Sequence, residues 1–407
     1  MKRSFTLATL ALLLFAAVRA PNVFSYTTDS TVPLAGGCPQ PDRWNLSLAS
    51  PLNRRWSTSL SPVGVTVLTV AAQGSSAQLS EIEQVVSDSF GVWTGVTGTT
   101  FNSAAHPGLI SPLTRTSVAS SCSNDPESNA DGLNTICFNQ SSTAFTSGVL
   151  AFTRVITANT VGASVGASGP AAFVGQILDA DILFRNDRQV LFATPGALAN
   201  PQGQGAYDLE SLLSHELGHW FGLDHSAVWR ALMFPFSPPP GQFLGARATP
   251  QASGGPLSDD DRTGIRSVYP DPNDAVNTGA LSGRILPANT FALANIPAPS
   301  AGSSVTGIFG AHVVALDADT GAVVAATVGG WSCNGASQQL QFDGSFQIQR
   351  LPLNRSYRVY TEPIEGLVTP ANFTDALADL CRPNSASPCT TPAVNTNFNV
   401  RTRPSSQ

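Results

Sequence analysis

Residues 215–225 read HELGHWFGLDH, and this segment decides how the rest of the chain is interpreted. It holds three of the five histidines, His215, His219 and His225. On a helix, positions four apart lie on one face, so His215 and His219 can bind a single metal ion. Gly222 can end that helix in a left-handed conformation, which would let the chain turn back and bring His225 to the same ion.

This ligand set predicts a catalytic zinc site rather than a structural one. Three neutral imidazoles leave a fourth coordination position open for water. Glu216 follows the first ligand and can act as the general base, taking a proton from the zinc-activated water and passing it to the leaving amine. The alternative is that the histidines merely cap or pack a core helix, but that does not explain why they cluster beside a glutamate.

The same eleven residues resemble the extended zinc-binding signature of the metzincin peptidases. Residues 231–235, ALMFP, are similar to the Met-turn of the matrixin branch, which includes the matrix metalloproteinases. This resemblance implies that Met233 packs beneath the zinc. Residues 257–265, LSDDDRTGI, resemble the third matrixin helix, whose paired aspartates, here Asp260 and Asp261, would brace the Met-turn. The likeness covers roughly residues 55–270.

The chain also departs from the matrixin pattern. Vertebrate matrixins carry a second, structural zinc bound by further histidines and an aspartate, whereas only His106 and His312 remain here. Phe152 stands where one of those ligands would fall. We therefore predict one catalytic zinc and no second one.

Calcium is the other ion to consider. Oxygen ligands that could contribute are Asp179, Asp181 and Asp187, but a calcium site needs several convergent oxygen atoms. Calcium binding and simple solvation of these carboxylates both stay open.

We predict an α+β fold, a metzincin catalytic domain with a twisted mixed sheet and three helices, followed by a small β-sandwich. Helical periodicity covers residues 79–93 and 209–221, and Ser258 can cap a third helix. In the C-terminal region, the strand-like segments at residues 310–317, GAHVVALD, and 342–346, FDGSF, resemble those of carboxypeptidase-regulatory-like, transthyretin-type modules. The predicted boundaries are a signal peptide at 1–25, a short pro-segment or linker at 26–55, the matrixin-like zinc peptidase domain at 56–272 and the β-sandwich at 278–403.

The N-terminus predicts export. Lys2 and Arg3 precede an apolar run at residues 5–18, which is typical of a signal peptide cleaved after Ala20 or Ser25. We expect a secreted, extracellular protein with no membrane span after signal removal.

Six cysteines in an exported chain suggest disulfides. The pairs closest in sequence are Cys122/Cys137 and Cys381/Cys389, which leaves Cys38 and Cys333. These two could form a third disulfide. Alternatively, Cys38 could act as a latency switch, resembling the matrixin pro-segment cysteine whose thiolate occupies the open zinc position.

The predicted function is a secreted zinc-dependent endopeptidase that hydrolyses peptide bonds of extended protein segments. We expect a monomer with protein or peptide substrates, and the net charge of −6 argues against a nucleic-acid partner. One alternative is an extracellular binding or adhesion protein with a vestigial peptidase domain, although such a protein has no need of Glu216. Another is a zinc site that cleaves amides of small molecules.

Overall fold

The computed structural model describes residues 28–47, 55–57, 66–102, 113–116, 130–141, 145, 148–186, 190–199, 205–241, 256–289, 305–364, 366–373 and 401–403. The predicted signal peptide lies outside these residues, as do His106, Asp187, Cys122, Cys381 and Cys389. Among the helices in the described part, none is long and apolar enough to cross a membrane.

The described residues of the N-terminal part, between 28 and 270, contain four α-helices, α1 (Ser76–Thr94), α2 (Pro195–Leu198), α3 (Leu209–Trp220) and α4 (Asp259–Val268). The structure confirms the three predicted helices, and the one-turn α2 was not predicted. Helix α1 begins earlier than the periodicity indicated because the Ser75 side chain accepts a hydrogen bond from the Gln78 N–H. Helix α4 begins at the predicted cap, where Ser258 and Asp261 form a capping box.

The same part contains ten strands: β1 (Ser30–Thr31), β2 (Gln40–Pro41), β3 (Arg55–Ser57), β4 (Thr66–Leu68), β5 (Thr114–Thr116), β6 (Thr135–Ser141), β7 (Ala151–Thr157), β8 (Ile177–Asn186), β9 (Leu191–Ala193) and β10 (Tyr207–Asp208). The main sheet has the order β5-β3-β6-β8-β7. Its strands are parallel except β7, which runs antiparallel to β8 and lies at the edge. The sheet is therefore mixed, as predicted.

Helix α3 lies in the core, against α1, β7 and β8. Buried tryptophans fix its position, because a buried indole N–H needs an acceptor. Each of three indoles donates to a backbone carbonyl oxygen: Trp93 to Ser214 (2.8 Å), Trp220 to Ala180 (3.1 Å) and Trp44 to Trp220 (2.8 Å). Helix α3 is thus tied to α1, to the sheet and to the N-terminal segment.

Residues 26–55, expected to be a pro-segment or linker, are described over 28–47, and that stretch packs onto the fold. It forms the β1–β2 hairpin, and the Asp29 N–H donates to the Gly222 carbonyl oxygen at 3.1 Å. Whether residues 26–55 form a pro-segment or a linker stays a prediction. Turn signals alone do not show which distant backbone groups a segment will contact.

The C-terminal part, residues 278–403, is here named the C-terminal module. Its strands are β11 (Thr278–Arg284), β12 (Ala311–Asp317), β13 (Val323–Gly329), β14 (Ser332–Asn334), β15 (Gln339–Gln341), β16 (Ser345–Pro352), β17 (Tyr357–Pro363) and β18 (Arg401–Arg403). They form a four-stranded sheet, β13-β12-β17-β18, and two antiparallel two-stranded pairs, β11-β16 and β14-β15. Apolar side chains of β12, β13 and β16 share one buried cluster. The predicted strands are confirmed, and the transthyretin-type sandwich stays a prediction.

The C-terminal module is joined to the N-terminal part by a covalent bond. Cys38 and Cys333 form a disulfide, with an S–S distance of 2.01 Å. The Cys38 sulfur is therefore held in a disulfide, so the alternative in which its thiolate occupies the metal position is wrong for this structure. Cys137 is also disulfide-bonded, and its predicted partner Cys122 lies outside the described residues.

We expect the double variant Cys38→Ser/Cys333→Ser to lower the free energy of unfolding by about 2–5 kcal/mol, because the disulfide restricts the unfolded chain. Chemical denaturation of the two proteins measures this difference. Reductant should then destabilise the variant less than the wild type, since the variant has already lost one bond. An unchanged midpoint in the double variant would show that noncovalent contacts alone hold the module.

Candidate metal centre

Helix α3 carries His215, Glu216 and His219. The N-cap of this helix is Asp208, whose side chain accepts from the Ser211 N–H. After the last helical residue, Trp220, the chain turns at Gly222, whose φ of +91° lies in the left-handed region. A Cβ at this position would lie 2.0 Å from the Asp42 carbonyl oxygen, so no other residue fits without displacing residues 28–47.

The three predicted histidine ligands converge. One ring nitrogen from each of His215, His219 and His225 can be chosen so that all lie within 4.8 Å of one another. In the part of the chain that the structure describes, this is the one group of three or more histidine, cysteine or acidic side chains so arranged. The spacing predicted from the helix and the glycine turn is what the structure shows.

Hydrogen bonds select which nitrogen of each ring faces the metal. In every ring, Nδ1 lies close to a backbone carbonyl oxygen: His215 with Leu232 (2.7 Å), His219 with Leu223 (2.8 Å) and His225 with Asn372 (2.7 Å). A carbonyl only accepts, so each Nδ1 carries a proton, and in the neutral form of each ring the free lone pair is on Nε2. Three Nε2 lone pairs are a donor set that suits zinc.

Burial keeps the rings of α3 neutral. It lowers the pKa of His215 to about 3, with the neighbouring His225 adding to the effect. Burial likewise lowers the pKa of His219 well below its ordinary value. Only neutral imidazole can donate a lone pair to a metal, so the site fits zinc without first having to lose protons from these two rings.

Glu216 is buried beside these rings, with 5% of its surface exposed. Burial raises the pKa of its carboxyl to about 7, and a hydrogen bond from Thr153 opposes this rise. The Thr153 hydroxyl lies 2.7 Å from Glu216 Oε2 and 2.8 Å from the Glu216 carbonyl oxygen. Thr153 lies on the edge strand β7. No local sequence signal indicates this contact, because it joins residues 63 positions apart.

Met233 packs against Gly218, which lies between the two helical histidines: a Cβ at Gly218 would lie 2.1 Å from Met233 Sδ. The implied position of Met233 beneath the zinc stays a prediction. Asp261 braces this turn, since its carboxylate accepts from the N–H groups of Leu232 (2.8 Å) and Met233 (3.1 Å). The neighbouring Asp260 makes different hydrogen bonds.

Asp260 instead connects the third ligand to the C-terminal module. Its carboxylate accepts from the Ser226 hydroxyl, next to His225, and from the Ala326 N–H, both at 2.6 Å. The expectation that both aspartates brace the Met-turn therefore holds for Asp261 alone. The difference arises because the two side chains leave the first turn of α4 in different directions.

The other candidate residues that the structure describes are not members of the histidine cluster. His312, on β12, contacts Glu362 at 2.8 Å. Phe152, on β7, packs edge-on against Phe145, with ring centroids 5.1 Å apart. The carboxylate of Asp181 contacts the Thr135 N–H at 2.9 Å and the Arg154 guanidinium at 2.5 Å, so it is already engaged within the protein. Calcium binding, and the lack of a second zinc, stay predictions.

The region that contains the three histidines also matches known proteins. Residues 162–270 match the family described as Matrixin. The chain contains a matrixin-like domain. Over 83 residues, the chain is 34% identical to Metalloendoproteinase 1 of Glycine max. The aligned residues make up 20% of this chain and 24% of the soybean protein. The matched part of the matrixin-like domain includes α3, the Met-turn and α4, whereas α1 precedes it.

Asp260 should give the protein a measurable pH dependence. Burial, followed by the charge of Asp261, raises the pKa of Asp260 from 3.8 to about 8. Above pH 3.8 the unfolded chain loses the Asp260 proton, whereas the folded protein keeps it until the pH approaches about 8. The contribution of Asp260 to the free energy of unfolding therefore falls as the pH rises between these values.

We therefore expect the stability of the wild type, relative to Asp260→Asn, to fall as the pH is raised from about 5 to about 9. Urea denaturation of both proteins across this range measures the difference. Groups that do not interact with Asp260 titrate equally in both proteins, so their contributions cancel. A constant difference would show that Asp260 is ionised in the fold throughout.

Proposed function

We propose that this protein is a secreted zinc-dependent endopeptidase. The observation that carries the proposal is the convergence of three imidazoles, each with Nδ1 hydrogen-bonded to a carbonyl oxygen, next to the buried carboxyl group of Glu216. The matrixin-like domain and the partial likeness to a soybean metalloendoproteinase support the same reaction class.

In this proposal His215, His219 and His225 hold one zinc ion through Nε2. When bound, the zinc would polarise the substrate carbonyl and acidify a water molecule. Glu216 accepts the proton of the attacking water and delivers it to the leaving amine. The Thr153 hydroxyl fixes the rotamer of Glu216, so the carboxylate is oriented before substrate arrives.

Strand β7 is the proposed binding surface for the substrate backbone. It lies at the edge of the main sheet, and its Thr153 contacts Glu216. An extended peptide could add to this edge by backbone hydrogen bonds, which do not depend on side chains. This mode suits unfolded or loop segments of proteins, and it weighs against a small-molecule amide as the substrate.

Export and the oligomeric state are further parts of the proposal. The Cys38–Cys333 disulfide supports an oxidising compartment, which agrees with the signal peptide predicted at residues 1–25. We propose that the mature protein is an extracellular monomer.

Replacement of the general base tests the reaction. We expect Glu216→Gln to lower hydrolysis of unfolded casein and of a quenched peptide library by at least about a hundredfold, because proton transfer is lost while the shape of the side chain is kept. Bound zinc, measured per chain by elemental analysis, should stay equal to that of the wild type. The matched control is Glu210→Ala, which removes another glutamate from α3 and should leave hydrolysis unchanged.

The outcomes separate the proposed enzyme from its rival. Hydrolysis by the wild type that a chelator abolishes, together with an inactive but zinc-loaded Glu216→Gln variant, would support the peptidase. A wild type that binds no zinc, or that binds zinc and cuts no substrate, would contradict it and favour the extracellular binding or adhesion protein.

Thr153 gives a finer test of the active site. Thr153→Val keeps the β-branched shape but removes the hydroxyl, so we expect kcat to fall roughly tenfold with little change in KM. Thr153→Ser restores the hydroxyl and should restore most of kcat. Steady-state kinetics of the three proteins distinguishes this role from a packing role, in which serine would behave no better than valine.

A further inference from the structure

The three proposed zinc ligands differ in where their supporting carbonyl groups come from. Leu223 and Leu232, which support His219 and His215, belong to the same domain as the histidines. His225 is supported by the Asn372 carbonyl oxygen, 147 positions along the chain in the C-terminal module. The third ligand thus depends on a segment outside the matched family region, which ends at residue 270.

The segment around Asn372 is held in a fixed conformation. The Asn372 side chain accepts from the Thr369 N–H at 2.9 Å and from the Thr369 hydroxyl at 3.2 Å, and the Asn372 N–H donates to the Thr369 carbonyl oxygen at 2.9 Å. Its neighbour Phe373 is fully buried. This turn is therefore rigid enough to aim one carbonyl group at His225.

The apolar cluster that buries Phe373 includes residues of both the matrixin-like domain and the C-terminal module. Phe234, which follows Met233 in the Met-turn, packs in it with Phe309, Phe342 and the disulfide partners Cys38 and Cys333. A second small cluster joins Val228 and Ala231 to Val314 and Ala326 of the module. Apolar burial and the disulfide thus set the distance between the Met-turn and the 369–373 turn.

A polar contact holds the other side of the third ligand. Ser226 follows His225, and its hydroxyl donates to Asp260, which also accepts from the Ala326 N–H of the module. The backbone on which His225 lies is thereby connected to the module on its C-terminal side, while the imidazole ring is connected to it through Asn372.

We propose that the C-terminal module is a component of the metal centre, in which the Asn372 carbonyl group positions His225 for zinc. Without this acceptor the ring loses the contact that fixes its Nδ1–H tautomer and its orientation. The inference rests on the proposed function only in that it requires zinc at the three histidines. Outer partners of this kind change metal affinity by about 10–100-fold when they are lost.

The test uses the full chain and three variants. Asn372→Ala removes the acceptor that holds Thr369 and so loosens the turn, whereas Asn372→Asp keeps an oxygen acceptor in the same place. Asn334→Ala is the matched control, because the Asn334 side chain accepts from two backbone N–H groups in another turn of the module. Zinc affinity is measured by competition with a chromogenic chelator, and thermal unfolding checks that each protein is folded.

We expect Asn372→Ala to raise the zinc dissociation constant roughly tenfold. Asn372→Asp should bring it back near the wild-type value, and Asn334→Ala should leave it unchanged. A folded Asn372→Ala protein with wild-type zinc affinity would overturn the proposal. So would an equal loss of affinity in Asn372→Ala and Asn334→Ala, because the effect would then come from general loosening of the module.

A second measurement does not depend on any variant. Nitrogen-15 NMR of histidine side chains in zinc-free wild type reports which ring nitrogen carries the proton. We expect His225 to be protonated at Nδ1, and protonation at Nε2 would overturn the proposal. If the wild type binds no zinc, the proposed function fails. If it binds zinc and cleaves peptides while Asn372→Ala does both equally well, this inference alone fails.

Discussion

An imidazole that binds a metal through one nitrogen needs a hydrogen-bond acceptor for the N–H of the other, and the rest of this structure depends on that constraint. Each of the three rings meets it with a backbone carbonyl oxygen, and each carbonyl comes from a different segment. Leu223 lies in the turn after α3, Leu232 in the Met-turn and Asn372 in the C-terminal module. The fold around the site is an arrangement that brings these three carbonyl groups to one place.

Buried carboxyl groups hold that arrangement together. A buried carboxylate is stable only when donors surround it, so each one fixes the groups that donate to it. Asp261 fixes the Met-turn, and Asp260 fixes Ser226 against the module. Burial raises the pKa of both, which shows that the fold accepts an electrostatic cost to place them there.

The sequence predicted the elements whose signals are local. Asp208 and Ser258 are helix caps that satisfy N–H groups within the first turn, so the beginnings of α3 and α4 could be found from neighbouring residues. The first helix was placed less well because its cap, Ser75, precedes the apolar periodicity. The packing of residues 28–47 was missed, since a segment rich in turn residues carries no signal of its distant partners.

The sequence by itself determined the chemistry of the site: the three histidines, the glutamate between them, and the glycine that turns the chain toward His225. These follow from residue type and spacing within eleven positions, where helix geometry fixes the outcome. Only the tertiary structure decided that Thr153 contacts Glu216, that Asp260 reaches Ala326 and that Asn372 supports His225. Those contacts join residues 63 to 147 positions apart, through one hydroxyl group, backbone groups and carboxyl groups. A backbone carbonyl is present at every residue, so no sequence pattern can show which one will accept the hydrogen bond of a given histidine.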